Sequence, residues 1–519
     1  MNILLLVSEG GRGNSVLAYM IASYKNVNVE VITVKKTKMR LLTKIKKIIQ
    51  DSLIFIYAPN FTFKYFIANL FEPNQTFVDN INSLDVSRKI DEFSPDLLVI
   101  SGTRKVNQFI LDKVKLKLNL HHGIVPFYRG VSSSSWVAYE RDFGNFGITV
   151  HEPTNILDEG ALLACERVLP FRGEPLWLFK YRVFWAGYCL LLNCIKQIIE
   201  AEVTWTIQDK VSVRNLKHAD KPSDFLQHIN KANNDFDKFG FINGTRNLFF
   251  HPRFKFKNRK IKEELNCGWY VLNYHAICTE AEAHHYKNSG FPSIFSTLSI
   301  FISHLEYMQQ VGEILSVEDA LKLWVSGNFP ERVVFSITFD DGLSSSLDTM
   351  HELKTFGIKP TLFLSGTTTF NSTAKLNIHP HIKDLKDDKH GTSGYFSVNE
   401  LIRLSENQKF SFEIGSHTFN HKSLTHLSAK EVEYEIVDCH HQLERAFKTK
   451  IPYFSFPFGK LNSRNYHADK ATRTLGAKVF ECYGGVNKSF QEHFNVLRIG
   501  VHNETKAEFQ RLLRKQWVR

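Results

Sequence analysis

The sequence is poor in cysteine. Seven cysteines are scattered over 519 residues, and no two of them form a Cys-x-x-Cys pair. This spacing argues against a disulfide scaffold and against a thiolate zinc site. It favours a reducing compartment, which we expect to be the cytoplasm.

Long apolar runs are also missing. The longest, residues 183–195, is shorter than the about 20 residues that a membrane-spanning helix requires, so we expect a buried helix there. Residues 1–9 lack the basic region of a signal peptide and predict a first strand. No internal repeat or low-complexity tract is present. The length, with 43% hydrophobic and 23% charged residues, predicts a soluble globular protein of roughly two to four domains.

The charge of the chain is unbalanced. A net charge of +12 favours acidic partners such as phosphates, nucleic acid or an anionic membrane surface. Basic residues concentrate among apolar ones in residues 35–49. This pattern is typical of a helix that lies on a membrane, and equally of an ordinary helix with a solvated cationic face. Peripheral membrane contact therefore stays open, and the sequence indicates no oligomeric state.

Two acidic residues and two histidines form the clearest motif. An apolar run at residues 336–339 ends in Asp340 and Asp341. Neighbouring side chains of a strand point to opposite faces, so adjacent aspartates share a site only where the strand ends and the chain turns. His417 and His421 are four residues apart and would lie on one face of a helix or tight turn. Two imidazoles and one carboxylate leave open positions on a divalent ion, as in a hydrolytic metal site.

Two further apolar strand ends follow, at residues 454–459 and 497–501. In this order the four segments resemble the polysaccharide deacetylase family of carbohydrate esterases. The similarity runs from near residue 274 to the C-terminus. It implies a distorted (β/α) barrel with its site at the carboxyl ends of the strands.

The resemblance also assigns roles to the motif residues. It makes Asp341, His417 and His421 the ligands of a divalent metal, with zinc the default for this ligand mix. Asp340 becomes the base that deprotonates the attacking water.

The sequence departs from the family pattern at two positions, the general acid and the arginine of the third motif. The family's general acid is a histidine, and His502 is its approximate match here. The arginine that many relatives carry before the proline of the third motif is absent, because Ser455 and Phe456 precede Pro457. These departures leave open a domain that binds carbohydrate without catalysis.

The first half of the chain alternates strand and helix patterns. Residues 2–7, 29–34 and 95–102 predict buried strands, and the alternation predicts a parallel, doubly wound, Rossmann-like sheet.

A glycine-rich turn follows the first predicted strand and contains Gly11, Gly13 and Asn14. Such a turn before a helix can bind phosphate through backbone N–H groups, or it can be a plain strand-to-helix turn. The glycine spacing does not fit the dinucleotide fingerprint, so NAD binding is not supported.

Residues 119–130 read NLHHGIVPFYRG and place polar groups at the carboxyl end of a further strand. This segment is similar to the signature of folate-dependent formyltransferases, the family of sugar and methionyl-tRNA formyltransferases. Residues 147–151 and 156–160 match the next two family segments in order. The resemblance covers roughly the first 210 residues.

This second resemblance implies that Asn119, His121 and Asp158 transfer a formyl group from 10-formyltetrahydrofolate to an amine. Asn119 and His121 would stabilise the oxyanion, while Asp158 fixes the imidazole and helps to remove a proton. We expect His122 and His151 to be structural, because one occupies a variable position of the motif and the other follows a strand pattern.

The two resemblances together predict two domains. A basic segment at residues 251–260 has a proline near its start and suits a linker, so we place the boundary near residue 260. Residues 1–260 then form the formyltransferase-like domain with its connecting segment, and residues 261–519 form the deacetylase-like domain.

One predicted site makes a formamide and the other cleaves an amide, so the common substrate would be an amino sugar linked to a nucleotide or a lipid. We expect metal-dependent N-deacetylation followed by N-formylation in bacterial surface polysaccharide biosynthesis. The alternatives are formylation followed by deformylation of a lipid-linked sugar, and a formyltransferase with an inactive carbohydrate-binding second domain. We expect no nucleic acid partner, since methionyl-tRNA formyltransferase carries a small β-barrel domain where this chain has its deacetylase-like half.

Overall fold

The chain divides into two compact units, Met1–Lys257 and Asn258–Arg519. The predicted boundary near residue 260 lies outside the described residues, as does most of the basic stretch 35–49, and the boundary stays a prediction. The computed structural model describes residues 1–8, 14–35, 74–170, 174–200, 203–208, 215–216, 221–225, 227–229, 232, 264–281, 283, 294–327, 329, 331–344, 347–370, 395–406, 410–459 and 463–519.

A seven-stranded sheet forms the centre of the first unit. Its strands, in chain order, are β1 Asn2–Ser8, β2 Asn28–Val34, β3 Asn74–Val78, β4 Leu97–Ser101, β5 Leu116–His121, β7 Gly147–His151 and β8 Leu162–Arg167. Their order across the sheet is β3-β2-β1-β4-β5-β7-β8. The first five are parallel, whereas β7 runs antiparallel to both β5 and β8. The parallel sheet is confirmed for β1 to β5, and the antiparallel edge corrects the prediction beyond it.

Helices cover this sheet. They are α1 Asn14–Ala22, α2 Leu84–Phe93, α3 Gln108–Leu111, α4 Ser133–Glu140 and α5 Leu176–Glu200, with a 3₁₀ turn at Phe143–Asn145. Two short strands, β6 Arg129–Gly130 and β9 Asn215–Leu216, pair with each other. In β1, Leu5 packs into a cluster with residues of α1 and α5, while Leu4 packs into another with residues of α2. The central strands are thus buried on both faces, as their apolar sequences predict.

The longest apolar run, residues 183–195, lies within a longer helix. Helix α5 has 25 residues, and by length and composition alone it could cross a membrane. Half of its most apolar window is buried, however, and Leu178, Tyr188 and Leu191 lie in the core beside the sheet. The buried position agrees with the prediction of a core helix.

The second unit is a closed barrel of seven parallel strands. They are β10 Gly268–Tyr274, β14 Val333–Phe339, β15 Thr361–Leu364, β16 Glu413–Ser416, β17 Tyr453–Ser455, β18 Lys478–Glu481 and β19 Val496–Gly500. The ring closes because Val271 of β10 pairs with Ser336 on one side and with Arg498 on the other. The predicted distorted barrel is confirmed, with seven strands. All seven carboxyl ends share one rim, where barrel enzymes place their sites.

Smaller elements complete the second unit. The short strands are β11 Ala276–Cys278, β12 Phe295–Thr297 and β13 Glu313–Ile314, which extends the sheet beside β14. The helices are α6 Leu298–Val311, α7 Val317–Val325, α8 Leu347–Thr355, α9 Gly366–Phe370, α10 Val398–Glu406, α11 Ala429–Glu433, α12 Cys439–Phe447, α13 Tyr466–Thr474 and α14 Lys506–Arg514, with a π-helical turn at Tyr434–Asp438 between α11 and α12.

Candidate active sites

Three buried side chains meet at the carboxyl rim of the barrel. Asp341 follows β14, and His417 and His421 follow β16. The Oδ1 atom of Asp341 lies 3.4 Å from His417 Nε2 and 3.1 Å from His421 Nε2. One potential ligand atom from each residue lies within 4.8 Å of the others. The structure therefore brings together the three residues that the sequence predicted as metal ligands.

The backbone around these residues is unusual. The predicted turn after β14 begins at Asp341 itself, whose φ of 70° lies in the left-handed region that L-residues seldom adopt. The two histidines lie in a loop rather than on a helix, and His421 also has a positive φ, 50°. Left-handed non-glycine residues cluster at functional sites, because only a well-supported site can hold them.

The orientation of His417 suits a metal ligand. Its Nδ1 donates a hydrogen bond to the carbonyl oxygen of Ser455, 2.9 Å away. The lone pair of the neutral ring is then on Nε2, which faces Asp341. Because a carboxylate and two imidazoles converge in a buried pocket, the residues present fit a divalent cation with open coordination positions.

Asp340 is held by a buried arginine. Arg498 donates to Oδ1 through Nη1 (2.7 Å) and to Oδ2 through Nη2 (2.8 Å), and Asn273 adds a bond of 3.0 Å. Burial alone would raise the pKa of Asp340, but the charges of Arg498 and His417 outweigh it and hold the pKa below its ordinary value. The carboxylate of Asp340, 3.9 Å from His417 Nε2, therefore lies beside the candidate metal site in its ionised form.

Arg498 is a site residue that sequence reasoning missed. It sits in β19, inside a segment that looked like a purely apolar strand end. The third motif lacks the arginine that many relatives carry there. Arg498 nevertheless contacts this motif, because its Nη2 atom also hydrogen-bonds to Ser455 Oγ. The only sequence signal was a single charge within a buried strand.

Two further histidines lie at the rim that carries Asp340. His502 follows β19, and the register of β19, β10 and β14 places it at the same rim as Asp340. Its backbone N–H donates to Glu504 and its carbonyl accepts from Ser296. His275 follows β10 directly, and its charge contributes to the lowered pKa of Asp340. The role of His502 stays a prediction, and His275 is a second candidate, which the sequence identified only as the end of a strand.

Glu435 supports the loop that carries His421. This carboxylate is 2% exposed and lies in the π-helical turn. Its Oε2 accepts from the backbone N–H of Asn420 and its Oε1 from the side-chain amide of the same residue, each at 2.8 Å. Its backbone carbonyl accepts from the N–H of Phe419. Glu435 thus fixes the residue next to a candidate metal ligand.

We expect Glu435→Gln to weaken divalent metal binding roughly tenfold to a hundredfold, as loss of groups that orient metal ligands generally does. The glutamine can accept from one Asn420 donor, but its NH₂ group faces the other. Equilibrium dialysis of the full chain against Zn²⁺ measures the effect. Glu433→Gln, two residues earlier and exposed, is the matched control. Equal affinity in both variants would rule out this positioning role.

The first unit has its own polar cluster, centred on Asp158. Oδ2 of Asp158 accepts from the N–H of Gly130 at 2.8 Å and lies 3.2 Å from His121 Nδ1. Oδ1 accepts from Asn119 Nδ2 at 3.3 Å. Burial would raise the pKa of Asp158, but the neighbouring His121 and His151 and the hydrogen bond from the Gly130 N–H lower it to about 2. The three residues predicted for formyl transfer thus lie together, with Asp158 ionised at neutral pH.

Both ring nitrogens of His121 face acceptors. Nε2 lies 2.7 Å from the carbonyl oxygen of Tyr128, while Nδ1 faces Asp158. Ser133 Oγ approaches the same Nε2 at 3.4 Å. These contacts fix the orientation of the imidazole ring.

His151 makes more contacts with the polar cluster than a purely structural strand residue would. Instead of serving only as a strand residue, it places Nε2 2.9 Å from Asn119 Nδ2 and 3.3 Å from Asp158 Oδ1. It reaches them because β7 runs antiparallel to β5 and sets His151 directly opposite Asn119. His122, by contrast, stacks on Phe184, and burial followed by the charge of His121 lowers its pKa to about 4.

A cavity of about 350 Å³ opens beside this cluster, at the carboxyl ends of β4 and β5. Asn119, His121, His151 and Asp158 line it. This is the side of a doubly wound sheet where ligands bind. Of the predicted phosphate-binding residues, Gly11 and Gly13 lie outside the described residues, as does the side chain of Asn14, which begins α1.

Two family models match separate parts of the chain. Residues 1–174 match the family model described as formyl transferase, and residues 326–480 match the one described as polysaccharide deacetylase. The chain therefore contains a region that matches the formyl transferase family model, followed by a region that matches the polysaccharide deacetylase family model, as the motifs indicated.

Two curated relatives match parts of the chain. The polysaccharide deacetylase-type protein YxkH of Bacillus subtilis (strain 168) is 23% identical over 214 residues, which are 41% of this chain and 64% of that protein. The bifunctional polymyxin resistance protein ArnA of Wigglesworthia glossinidia brevipalpis is 33% identical over 87 residues, 16% of this chain and 13% of that protein. The chain thus spans less than two thirds of either relative.

Solved structures resemble each unit separately. The Streptococcus pyogenes deacetylase PplD in complex with acetate is 17% identical, with a TM-score of 0.38, covering 48% of this chain and 99% of its own. A sugar N-formyltransferase from a Shewanella species is 16% identical, with a TM-score of 0.31, covering 44% and 86%.

Proposed function

We propose that this protein is a bifunctional enzyme that deacetylates an N-acetylated amino sugar in its second unit and formylates the freed amine in its first. The observation that carries the proposal is the buried convergence of Asp341, His417 and His421 beside Asp340. Together with the formyl transferase region, it supplies one site that cleaves an amide and another that makes one. An amino sugar, linked to a nucleotide or a lipid, is the substrate class common to both.

In the hydrolytic site, Asp341, His417 and His421 would hold the divalent ion, with zinc favoured by the ligand mix. When bound, such an ion supplies Lewis acidity toward water and the acyl oxygen. Asp340 would accept the proton of the attacking water, with its carboxylate held in place by Arg498. The cleaved amide requires a proton on its leaving nitrogen.

Two histidines can supply that proton. The resemblance favours His502, whereas the position of His275 directly after β10, at the rim that carries Asp340, makes it the second candidate. Alanine variants of each, compared at equal metal content, separate the candidates: the donor's variant loses turnover, and the other variant keeps it.

In the formyl transfer site, the sugar amine attacks the formyl carbon of 10-formyltetrahydrofolate. A C–N bond forms as the amine loses a proton, which Asp158 helps to remove, and the bond between the formyl carbon and the folate nitrogen then breaks as that nitrogen takes up a proton. Asn119 and His121 would stabilise the oxyanion, and the ionised Asp158 keeps the His121 ring oriented. The contact of His151 with Asn119 and Asp158 makes His151 a positioning residue in this proposal.

Two alternative functions follow from the same regions. In the first, a lipid-linked amino sugar is formylated and later deformylated; nothing in either site's geometry sets the order. In the second, the deacetylase-like unit only binds carbohydrate, but the converging ligands and the held Asp340 favour catalysis. We propose that the enzyme acts in the cytoplasm in bacterial surface polysaccharide synthesis and has no nucleic acid partner. The proposal includes no contact with a membrane.

The test is an assay of both reactions in one tube. An N-acetylated sugar, the full chain, Zn²⁺ and 10-formyltetrahydrofolate should yield acetate and the N-formyl product, and without the folate the free amine should accumulate. His121→Ala should abolish only formylation and Asp340→Asn only hydrolysis. A panel of nucleotide- and lipid-linked sugars, followed by mass spectrometry, decides the order. Formylation and deformylation without acetate release from any acetylated sugar would overturn deacetylation first.

A further inference from the structure

A histidine of helix α6 joins the two parts of the barrel rim that carry the candidate proton donors. His304 is fully buried. Its Nδ1 atom lies 3.1 Å from the hydroxyl of Tyr274, the last residue of β10, which His275 follows directly. Its Nε2 atom lies 2.7 Å from the backbone carbonyl oxygen of Glu504, two residues beyond His502. His304 therefore connects the end of β10 with the loop that follows β19.

The two contacts fix the tautomer of the His304 ring. A carbonyl oxygen can only accept, so Nε2 carries the hydrogen, and Nδ1 accepts from the Tyr274 hydroxyl. Burial lowers the pKa of His304 to about 4, although the bond to Glu504 opposes this shift, and the ring is neutral at neutral pH. The ring also stacks on Phe509 of α14, with the two centroids 3.9 Å apart. His304 thus has one donor, one acceptor and one packed face, and all three are in use.

Tyr274 connects this bridge to Asp340. The carbonyl oxygen of Tyr274 accepts from the backbone N–H of Asp340 at 3.0 Å. The preceding residue, Asn273, donates from its side chain to Asp340 Oδ2 and accepts, through its carbonyl oxygen, from the N–H of Val501. The end of β10 therefore lies between the proposed base and the loop that carries His502. Any movement of this strand end would shift the two relative to each other.

The segment before His304 holds the same loop. Ser296 Oγ donates to the carbonyl oxygen of His502, and the N–H of Thr297 donates to Asn503 Oδ1 at 2.9 Å. Together with the bond from His304, these contacts attach residues 296–304 to three successive residues of the loop. Among the three donors, His304 is the one that also reaches β10.

We propose that His304 is a positioning residue for amide hydrolysis, which holds the end of β10 and the loop 501–505 at a fixed distance from each other and so places the proton donor beside Asp340. This assignment rests on the proposed hydrolysis and adds to it a buried residue that acts only through its neighbours. The effect on rate can be large, because a misplacement of about 1 Å can cost a factor of about a hundred.

Two variants separate the hydrogen bonds of His304 from its packing. His304→Phe keeps an aromatic ring against Phe509 and loses both bonds. His304→Gln loses the ring stack but can keep both bonds, because its amide N–H can donate to Glu504 and its amide oxygen can accept from Tyr274.

The expected result is a loss of turnover in one variant and its recovery in the other. At equal metal content, His304→Phe should lower kcat for acetate release roughly tenfold to a hundredfold with little change in KM, and His304→Gln should stay within about threefold of wild type. Gln309→Ala, exposed on the same helix, is the matched control. Full activity in His304→Phe with a loss in His304→Gln would overturn the proposal, because packing alone would then explain the residue.

Double variants identify the donor that His304 positions. If it positions His502, then His304→Phe should cost little further rate once His502→Ala has removed that donor, and the same reasoning applies to His275→Ala. Coupling with either histidine supports the proposal. Losses that multiply fully in both backgrounds would rule out a positioning role.

Amide hydrogen exchange tests the same contacts without turnover. The N–H groups of Val501 and His502 are hydrogen-bonded, to Asn273 and Glu504, and His304→Phe should speed their exchange relative to wild type and His304→Gln. Normal hydrolysis and unchanged exchange in His304→Phe overturn the positioning role and keep the proposed function. Faster exchange in that variant, with no hydrolysis of any N-acetylated sugar by the zinc-loaded wild type, supports the bridge and rejects the proposed function.

Discussion

Asp341→Asn and His417→Ala should each abolish stoichiometric binding of a divalent ion and reduce amide hydrolysis roughly a thousandfold or more. The reason is that each residue contributes one of three converging ligand atoms. Stabilisation of the transition-state charge by a metal is worth several kcal/mol, and about 1.4 kcal/mol corresponds to a tenfold change in rate. Metal content by mass spectrometry and acetate release are the two measurements. Formyl transfer should be retained, since its residues lie in the other unit.

His441→Ala provides the control for this experiment. His441 is an exposed histidine on α12, and its loss should leave metal content and turnover unchanged. Removal of metal from wild type with a chelator should reproduce the defect, and added Zn²⁺ should reverse it. Hydrolysis that survives His417→Ala in a metal-free chain would refute the metal site.

Arg498→Met should destabilise the second unit by about 3–5 kcal/mol and nearly eliminate hydrolysis. Both charged groups are buried, and removal of one partner leaves the Asp340 carboxylate without its main counter-charge. Arg498→Lys should recover only part of the loss, because an ammonium group cannot reproduce the two parallel bonds of the guanidinium. Urea unfolding with matched metal determinations measures both effects.

A double variant makes this prediction specific. In Asp340→Asn/Arg498→Met the uncompensated buried charge is gone, so the stability loss should be clearly smaller than the sum of the two single losses. Simple additivity would mean that the pair does not interact as the geometry indicates. Arg511→Met, on the surface-facing part of α14, should leave stability nearly unchanged.

The sequence predicted those parts of the sites that depend on local order. Asp340 and Asp341 end an apolar strand, His417 and His421 are close in sequence, and the family resemblance carried by the motif order implies their roles. The strands β1, β2, β4 and β5 also follow from apolar runs that alternate with helical patterns, whereas the family resemblance implied the barrel.

Contacts between distant strands could not be predicted from the sequence. Arg498 reaches Asp340 because β10 pairs with both β14 and β19, which places residues 158 positions apart in one hydrogen bond. His151 meets Asn119 because a strand reverses direction at the edge of the sheet. Neither periodicity nor local motif spacing contains such information.

Closure of the barrel through its first and last strands affects the order in which the protein can become active during synthesis. β10 is made early in the second unit, but the ring and the Arg498 bond to Asp340 need residues 496–500. On a ribosome that adds about 5–20 residues per second, the hydrolytic site would stay incomplete until almost the entire unit has emerged. Nascent chains stalled before β19 should therefore show no hydrolytic activity, although the formyl transfer residues have long been synthesised.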